Sequence, residues 1–183
     1  MPQTVLVVGS LYHDIMITGP RLPRRDETLV GTGWSPKFGG KGGNQAVAAA
    51  RIGLARLLGA VGSVGFGDFM RAGLIAAQVQ TEFVQTCAAP TGISVAIVDP
   101  NGDYGAVIVS GANLHIDPLA LADPGLWANI GVLLLQNEVP EALNLAAAKA
   151  ARARRIPVIL NAAPARAGWR ICGAGRYSGG QRG

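Results

Sequence analysis

Residues 39–51, with the sequence GGKGGNQAVAAAR, decide how this chain is interpreted. Four glycines lie immediately before an alanine-rich stretch, so we predict a glycine-rich turn over residues 39–44 and a helix over residues 45–51. Glycines at such a junction let a ligand approach the backbone closely, and Lys41 and Asn44 add polar groups there. A plain helix cap after a flexible turn is an alternative that composition leaves open.

This glycine cluster matches neither of the common nucleotide-binding motifs. A P-loop has Gly, four residues and then Gly-Lys-Ser/Thr, whereas here Gly42 follows Lys41 and Ser35 occupies the first glycine position. A dinucleotide-binding fingerprint has three spaced glycines directly after the first strand, where this chain has Gly9 alone. Both kinds of site are excluded for these residues.

Short apolar runs alternate with helical patterns along the chain. Such alternation favours a mostly parallel, doubly wound α/β sheet. The predicted strands of this sheet are residues 5–8, 57–64, 130–135 and 157–160. The predicted helices after the first one are residues 68–79 and 140–155.

A second group of strand patterns does not fit this alternation. We predict more exposed strands at residues 15–18, 28–37, 93–98 and 106–109. Asn101-Gly102 between the last two is a strong hairpin signal. We therefore expect a small separate sheet, with strands near 14–37 and 93–109, that forms a lid on a domain spanning residues 1–166.

Composition indicates a folded protein rather than a nucleic-acid or membrane protein. The chain has 183 residues, of which 49% are hydrophobic and 15% charged, with a formal net charge of +5. Four arginines lie after residue 165 without any acidic residue, so the rest is nearly neutral and nucleic-acid binding has weak support. The start lacks a basic segment typical of a signal peptide, and we expect a cytoplasmic location.

The last residues have a different composition. Residues 168–183 contain six glycines and three arginines without a periodic apolar pattern. We predict that residues 167–183 are an aberrant tail outside the folded core. Cys87 and Cys172 form no metal-ligand pattern, so we expect free thiols and no metal site.

Two acidic residues follow predicted strands at the edge where α/β sheets bind ligands. Asp14 comes after the first strand and Glu138 after residues 130–135. A carboxylate can accept two hydroxyl hydrogen bonds, as a sugar site requires. Alternatively, Asp14 lies in a surface loop and Glu138 is a first-turn acid favoured by the helix dipole. His13 and His115 lack metal-compatible partners and are expected to be ordinary loop residues.

Taken together, these motifs resemble the ribokinase-like (pfkB) family of carbohydrate kinases over roughly residues 4–166. The stretch 39–51 is very similar to the first signature of that family, and the other matches are supportive through their order. They are Val8-Gly9-Ser10 with Asp14, residues 20–23, Glu27-Thr28, Gly67-Asp68-Phe69, residues 91–94, 109–113, 135–138 and 161–165.

The resemblance implies a three-layer α/β fold with a β lid that closes over a sugar and often forms a homodimer contact. It implies ATP-dependent phosphorylation of a sugar hydroxyl with Mg²⁺ and K⁺, with D-ribose giving D-ribose 5-phosphate as the leading reaction. The alternatives are another sugar or a nucleoside as substrate, or a non-catalytic sugar-binding or dimerisation module. The residues implied at the sugar are Tyr12, Asp14, Gly40, Lys41, Gly42, Gly43, Asn44 and Glu138.

The sequence departs from the family pattern in three places. Residues 61–69 look shorter than the usual loop before Gly67-Asp68-Phe69. Tyr12 stands where family members often have Asn. The second signature, Gly-Ala-Gly-Asp, whose Asp would be the catalytic base, is missing, because residues 173–176 have Arg176 at the last position. We therefore expect a C-terminally truncated kinase that lacks the base and most of the ATP site and has little or no activity.

Overall fold

The computed structural model describes residues 3–63 and 65–165. The strands of this part of the chain form two separate β-sheets. The strands are β1 (Thr4–Val8), β2 (Tyr12–Thr18), β3 (Gly33–Gly39), β4 (Leu54–Gly62), β5 (Val84–Cys87), β6 (Gly92–Val98), β7 (Tyr104–Val109), β8 (Ile130–Gln136) and β9 (Val158–Asn161). The α-helices are α1 (Lys41–Ala50), α2 (Phe66–Ala76) and α3 (Glu141–Ala153).

The larger sheet has the strand order β5-β4-β1-β8-β9, and each of its pairings is parallel. Side chains of β1 alternate between its two faces, as the pleat of a strand requires. Leu6 and Val8 pack in a cluster with α3, whereas Val7 packs in a second cluster with α1 and α2. Helices therefore cover both faces, and the sheet is the middle of three layers.

Three short 3₁₀-helices connect β7 to β8, and they were not predicted from the sequence. They span Gly111–Leu114, Pro118–Ala122 and Pro124–Trp127. Arg56 of β4 holds the last one, because its Nη1 donates to the carbonyls of Gly125 (2.7 Å), Leu126 (2.9 Å) and Ala128 (3.2 Å). This contact ties the connection to strand β4 of the large sheet.

The smaller sheet has the order β3-β2-β6-β7. Strand β2 pairs antiparallel with β3 and parallel with β6, and β6 and β7 form the predicted hairpin. In the hairpin turn, Asp99 Oδ1 accepts hydrogen bonds from the backbone N–H groups of Asn101 (2.8 Å) and Asp103 (3.0 Å). Gly102 adopts a φ of 88°, which explains why glycine suits that position.

His13 of β2 anchors the small sheet to α2. Its ring stacks on Phe66 with centroids 4.0 Å apart and meets the edge-on ring of Phe69 at 4.7 Å. The residue is only 4% exposed, and burial lowers the pKa of its imidazole. His13 is therefore a packed residue of this junction rather than the ordinary loop residue that the sequence suggested.

The predicted fold class, a three-layer α/β sandwich with a second small sheet, is confirmed, whereas several local predictions are wrong. Helix α1 begins at Lys41, so Gly42 and Gly43 are helical rather than part of a turn. The strand predicted at residues 28–37 lies instead at Gly33–Gly39, and β5 was missed. The lid role of the small sheet and the domain limit at residue 166 stay predictions.

Some features lie outside what the structure describes. The tail at residues 167–183, with Cys172 and the 173–176 segment, falls outside the described residues. Cys87, which is described, has a free thiol. Of the helices in residues 3–63 and 65–165, none has the length and apolar character needed to cross a membrane.

Candidate functional site

Asp14 lies on β2, the strand that the chain enters soon after the end of β1. In the small sheet it is opposite Lys37 of β3 and Ser94 of β6. Gly39 lies beside its carboxylate, and a Cβ atom on Gly39 would overlap Oδ2 and come within 2.7 Å of Oδ1. The absence of a side chain at Gly39 therefore makes the room that this carboxylate occupies.

Glu138 follows β8 and reaches across the edge of the sheet to the start of α1. Its Oε2 accepts hydrogen bonds from Ser10 Oγ (2.6 Å) and from the backbone N–H of Lys41 (2.8 Å). Its Oε1 lies 3.7 Å from Lys41 Nζ. The sequence left open that Glu138 is an acidic residue in the first turn of the helix that follows it. This alternative is wrong, because Pro140 is the residue before α3 and Glu138 caps α1 instead.

The backbone N–H groups that open α1 are already bonded within the protein. The first N–H groups of a helix have no intrahelical partner and need one from elsewhere. Besides the Lys41 bond, Gly42 N donates to Ser10 Oγ (3.3 Å) and Gly43 N donates to Ser10 O (2.9 Å). These N–H groups are occupied here, so the glycine segment is not an open anion cradle.

Gly42 serves close packing of α1 against the end of β1. A Cβ atom on Gly42 would lie 2.5 Å from the carbonyl carbon of Gly9 and from the backbone nitrogen of Ser10. Gly43 is buried as well, next to the ring of Phe38. The predicted contact of Gly40, Gly42 and Gly43 with a sugar stays a prediction, whereas their packing is visible.

Tyr12 is buried and lies among the polar groups of the site. Its hydroxyl donates to Ser110 Oγ at 3.1 Å. Burial is the main cause that raises the pKa of Tyr12, the hydrogen bond to Ser110 lowers this pKa, and the negative charge of Glu138 raises it. The phenol is thus neutral at pH 7, and its hydroxyl is held by Ser110.

The carboxylate of Asp14 is affected by its burial and by the charges around it. Burial raises the pKa of Asp14, the negative charge of Glu138 raises it further, and Lys37 lowers it. Lys41, whose side chain is 33% exposed, places a positive charge next to Glu138. A pair of acids with one adjacent ammonium group suits a neutral ligand with several hydroxyl groups.

The structure thus brings Tyr12, Asp14, Lys41 and Glu138 into one region. Asn44 lies in the first turn of α1, and its side chain is exposed. Within the described residues, no group of three or more His, Cys, Asp or Glu side chains could hold a metal ion.

Two residues of this region were missed as site residues in the sequence. Ser10 links Glu138 to α1, as described above. Asn113 holds the bend between β1 and β2, because its Oδ1 accepts from Leu11 N and its Nδ2 donates to Leu11 O, both at 2.8 Å. Both residues lie within motifs that matched the family pattern, and their order in the sequence was the only signal.

Comparison with known proteins identifies the family of the chain. The family model described as "pfkB family carbohydrate kinase" matches residues 2–170. A ribokinase of Bacillus subtilis is 36% identical over 166 residues, which are 90% of this chain and 57% of that protein.

Solved structures give the same result. The structure of Arabidopsis thaliana ribokinase complexed with ribose and ATP has a TM-score of 0.78 at 31% identity, over 87% of this chain and 53% of that one. A ribokinase from Thermotoga maritima has a TM-score of 0.80 at 28% identity, over 90% and 54%. The chain thus spans about half the length of the relatives that it matches. Because the family model covers most of its residues, the chain belongs to the pfkB family of carbohydrate kinases.

Proposed function

We propose that this chain is the sugar-binding part of a kinase that transfers the γ-phosphoryl group of ATP to D-ribose and yields D-ribose 5-phosphate. The observation that supports this most is the convergence of Asp14 and Glu138 beyond the carboxyl ends of the neighbouring parallel strands β1 and β8. Ligands of open α/β sheets bind at this edge. The relatives named ribokinase support ribose as the sugar.

The polar groups of the site match the hydroxyl groups of a pentose. Asp14 has two oxygens that can accept from neighbouring hydroxyls, and Glu138 has Oε1 in addition to the capping atom Oε2. Lys41 Nζ donates to a hydroxyl oxygen, and Asn44 can donate and accept from the first turn of α1. In this proposal the small sheet closes over the sugar and excludes water.

Transfer of the phosphoryl group needs a catalytic base, and no residue for that role was identified in the sequence. A sugar hydroxyl must lose its proton to a base as its oxygen attacks the γ-phosphorus and ADP leaves. The only Gly-Ala-Gly motif in the sequence, at residues 173–175, is followed by Arg176 rather than Asp. We therefore propose that the chain by itself binds ribose but turns over ATP little or not at all.

Titration calorimetry of the purified chain with a panel of sugars tests this function. We expect D-ribose to give a heat of binding that Asp14→Ala abolishes, while the exposed-loop variant Asp26→Ala keeps it. A stronger response to a hexose or a nucleoside would reassign the substrate. A folded sample with no response to any of them would refute the proposal, and a coupled ADP-release assay checks turnover.

One observation favours an additional role in self-association. Side chains alternate along a strand, so the face of the small sheet opposite Asp14 carries Ile15 and Ile17, with a groove that Trp34 also lines. On the same face Val107 is 72% exposed and Trp34 is 69% exposed. We propose that a second copy of this chain covers this apolar face.

The oligomeric state of the chain tests this role. Sedimentation velocity should show a dimer that Trp34→Glu converts to a monomer. Leu119→Glu, at an equally exposed apolar residue away from the small sheet, should leave the dimer intact. A monomeric unmodified chain at tens of micromolar would contradict a dimer.

A further inference from the structure

The hydroxyl of Ser10 lies at the junction of the three segments that build the site. Ser10 is fully buried at the end of β1. Its Oγ donates to Glu138 Oε2 at 2.6 Å and accepts from Gly42 N at 3.3 Å. Because a serine hydroxyl has one donor hydrogen, this hydrogen is committed to Glu138.

The bond from Ser10 determines which oxygen of Glu138 is left for a ligand. Oε2 is held by two short hydrogen bonds, from Ser10 Oγ and from Lys41 N. Oε1 has only the Lys41 ammonium group at 3.7 Å, too long for a normal hydrogen bond. Without the Ser10 hydroxyl, Oε2 would keep one strong bond, and the flexible Glu138 side chain could turn about it.

We infer that Ser10 is a positioning residue for sugar binding, which fixes the carboxylate of Glu138 so that Oε1 faces the ligand. The inference rests on the proposed function, since it assigns Ser10 to the same sugar site. Ser10 does not touch the sugar itself, and it acts through Glu138. Substitution of Ser10 should therefore weaken ribose binding only in a chain that still has Glu138.

Nuclear magnetic resonance of the ligand-free chain tests the positioning directly. The N–H proton of Lys41, bonded to a carboxylate, should resonate far downfield. Ser10→Ala and the volume-matched Ser10→Cys should both shift this resonance upfield, in the direction set by Glu138→Gln. Thr91→Val is the control, because the buried Thr91 hydroxyl bonds Gly62 N at 2.9 Å and does not touch Glu138. It should leave the Lys41 resonance unchanged.

Ribose affinity then tests the functional consequence. We expect Ser10→Ala to raise the Kd about tenfold, the size of one charge-assisted hydrogen bond. In a Glu138→Gln background, the same substitution should change the Kd less than about twofold, because the partner is already altered. Thr91→Val should keep the affinity of the unmodified chain.

The outcomes separate this inference from the proposed function. An unmodified chain that binds no ribose would refute the proposed function and the sugar role of Ser10 together. Normal ribose binding with an unchanged Lys41 resonance in Ser10→Ala would overturn the Ser10 inference alone. An equal loss of affinity from Ser10→Ala with and without Glu138 would also overturn it, since that pattern belongs to a general structural role.

Discussion

The backbone of Gly39 lies against the carboxylate of Asp14 with no room for a side chain between them. Gly39→Ala should therefore push the carboxylate aside, weaken ribose binding at least tenfold and cost about 1–3 kcal/mol of stability. Gly33→Ala on the same strand is the matched control, because a Cβ there would meet nothing within 4 Å. Calorimetry and urea unfolding check both, and equal affinities for the two variants would contradict the explanation.

Removing the charge of Asp14 should stabilise the fold at neutral pH. Burial, followed by the charge of Glu138, raises the pKa of Asp14 above its ordinary value of 3.8. An acid whose folded pKa is raised destabilises the folded state when ionised, so the penalty is present above the folded pKa and disappears as pH falls towards 3.8. Asp14→Asn should thus have a higher melting temperature than the unmodified chain at pH 7, and a smaller advantage at pH 4.

The exposed Asp26 offers the comparison for this experiment. Asp26→Asn should leave the melting temperature unchanged at both values of pH, since its side chain is 93% exposed. An Asp14→Asn variant that melts lower than the unmodified chain at pH 7 would mean that the carboxylate contributes more through its contacts than it costs through burial.

Glu138→Gln should destabilise the chain through the start of α1. The amide of Gln can still accept the hydrogen bond from Lys41 N, but it lacks the negative charge that favours a helix N-terminus. We therefore expect the free energy of unfolding to fall by about 1 kcal/mol. The measurement is urea unfolding at pH 7. Glu82→Gln, on an exposed loop residue, should change the free energy of unfolding by less than about 0.5 kcal/mol. Equal effects from both substitutions would argue against the cap.

His13 should make the fold sensitive to mild acid. Burial lowers the pKa of His13 below its ordinary value of 6.5, so the unfolded state binds the proton more readily than the folded state. The stability therefore falls as pH drops below 6.5, where the unfolded chain becomes protonated first. His13→Phe keeps a ring against Phe66 but has no group that titrates. The variant should therefore lose less stability than the unmodified chain between pH 7 and pH 5.

The exposed His115 provides the reference for that comparison. His115→Phe should follow the unmodified chain between pH 7 and pH 5 in thermal unfolding at a series of pH values. A His13→Phe variant with the same acid loss as the unmodified chain would show that other groups cause it.

Arg56 should contribute to stability through its carbonyl partners. Its guanidinium donates to two carbonyl oxygens of the last 3₁₀-helix, to the carbonyl of Ala128 directly after that helix, and to Gln80 Oε1. Arg56→Met keeps the length of the side chain but leaves these acceptors without their donor, at a cost of about 1–3 kcal/mol. The exposed Arg51→Met should be nearly neutral in the same urea titration, and similar losses for the two would contradict this account.

The sequence predicted the main elements of the fold where local residues decide them. The continuous apolar run at residues 5–8 predicted β1, and Asn101-Gly102 predicted the hairpin between β6 and β7. Strand β5 was missed because Gln85 and Thr86 are polar and the strand lies at the sheet edge. The start of α1 was misplaced because the two helix-breaking glycines in its first turn are explained by packing that only the tertiary structure shows. Gly42 packs against Gly9, and Gly43 packs against the ring of Phe38.

The site was predictable to a similar degree. The ends of apolar strands indicated Asp14 and Glu138, and the structure places both at that edge, although their binding role remains a prediction. Ser10 and the capping role of Glu138 could not be predicted, since the bond between these two residues spans 128 positions in sequence. No local pattern reports which distant carboxylate completes a helix.

The cap of α1 also determines the order in which this region can form. Lys41 receives its hydrogen-bond acceptor from a residue 97 positions later. During synthesis, the glycine-rich start of the helix is made well before Glu138, so the Lys41 N–H group has no Glu138 acceptor until the chain has been extended past β8. Nascent chains shorter than 138 residues consequently lack the carboxylate that completes the cap of α1.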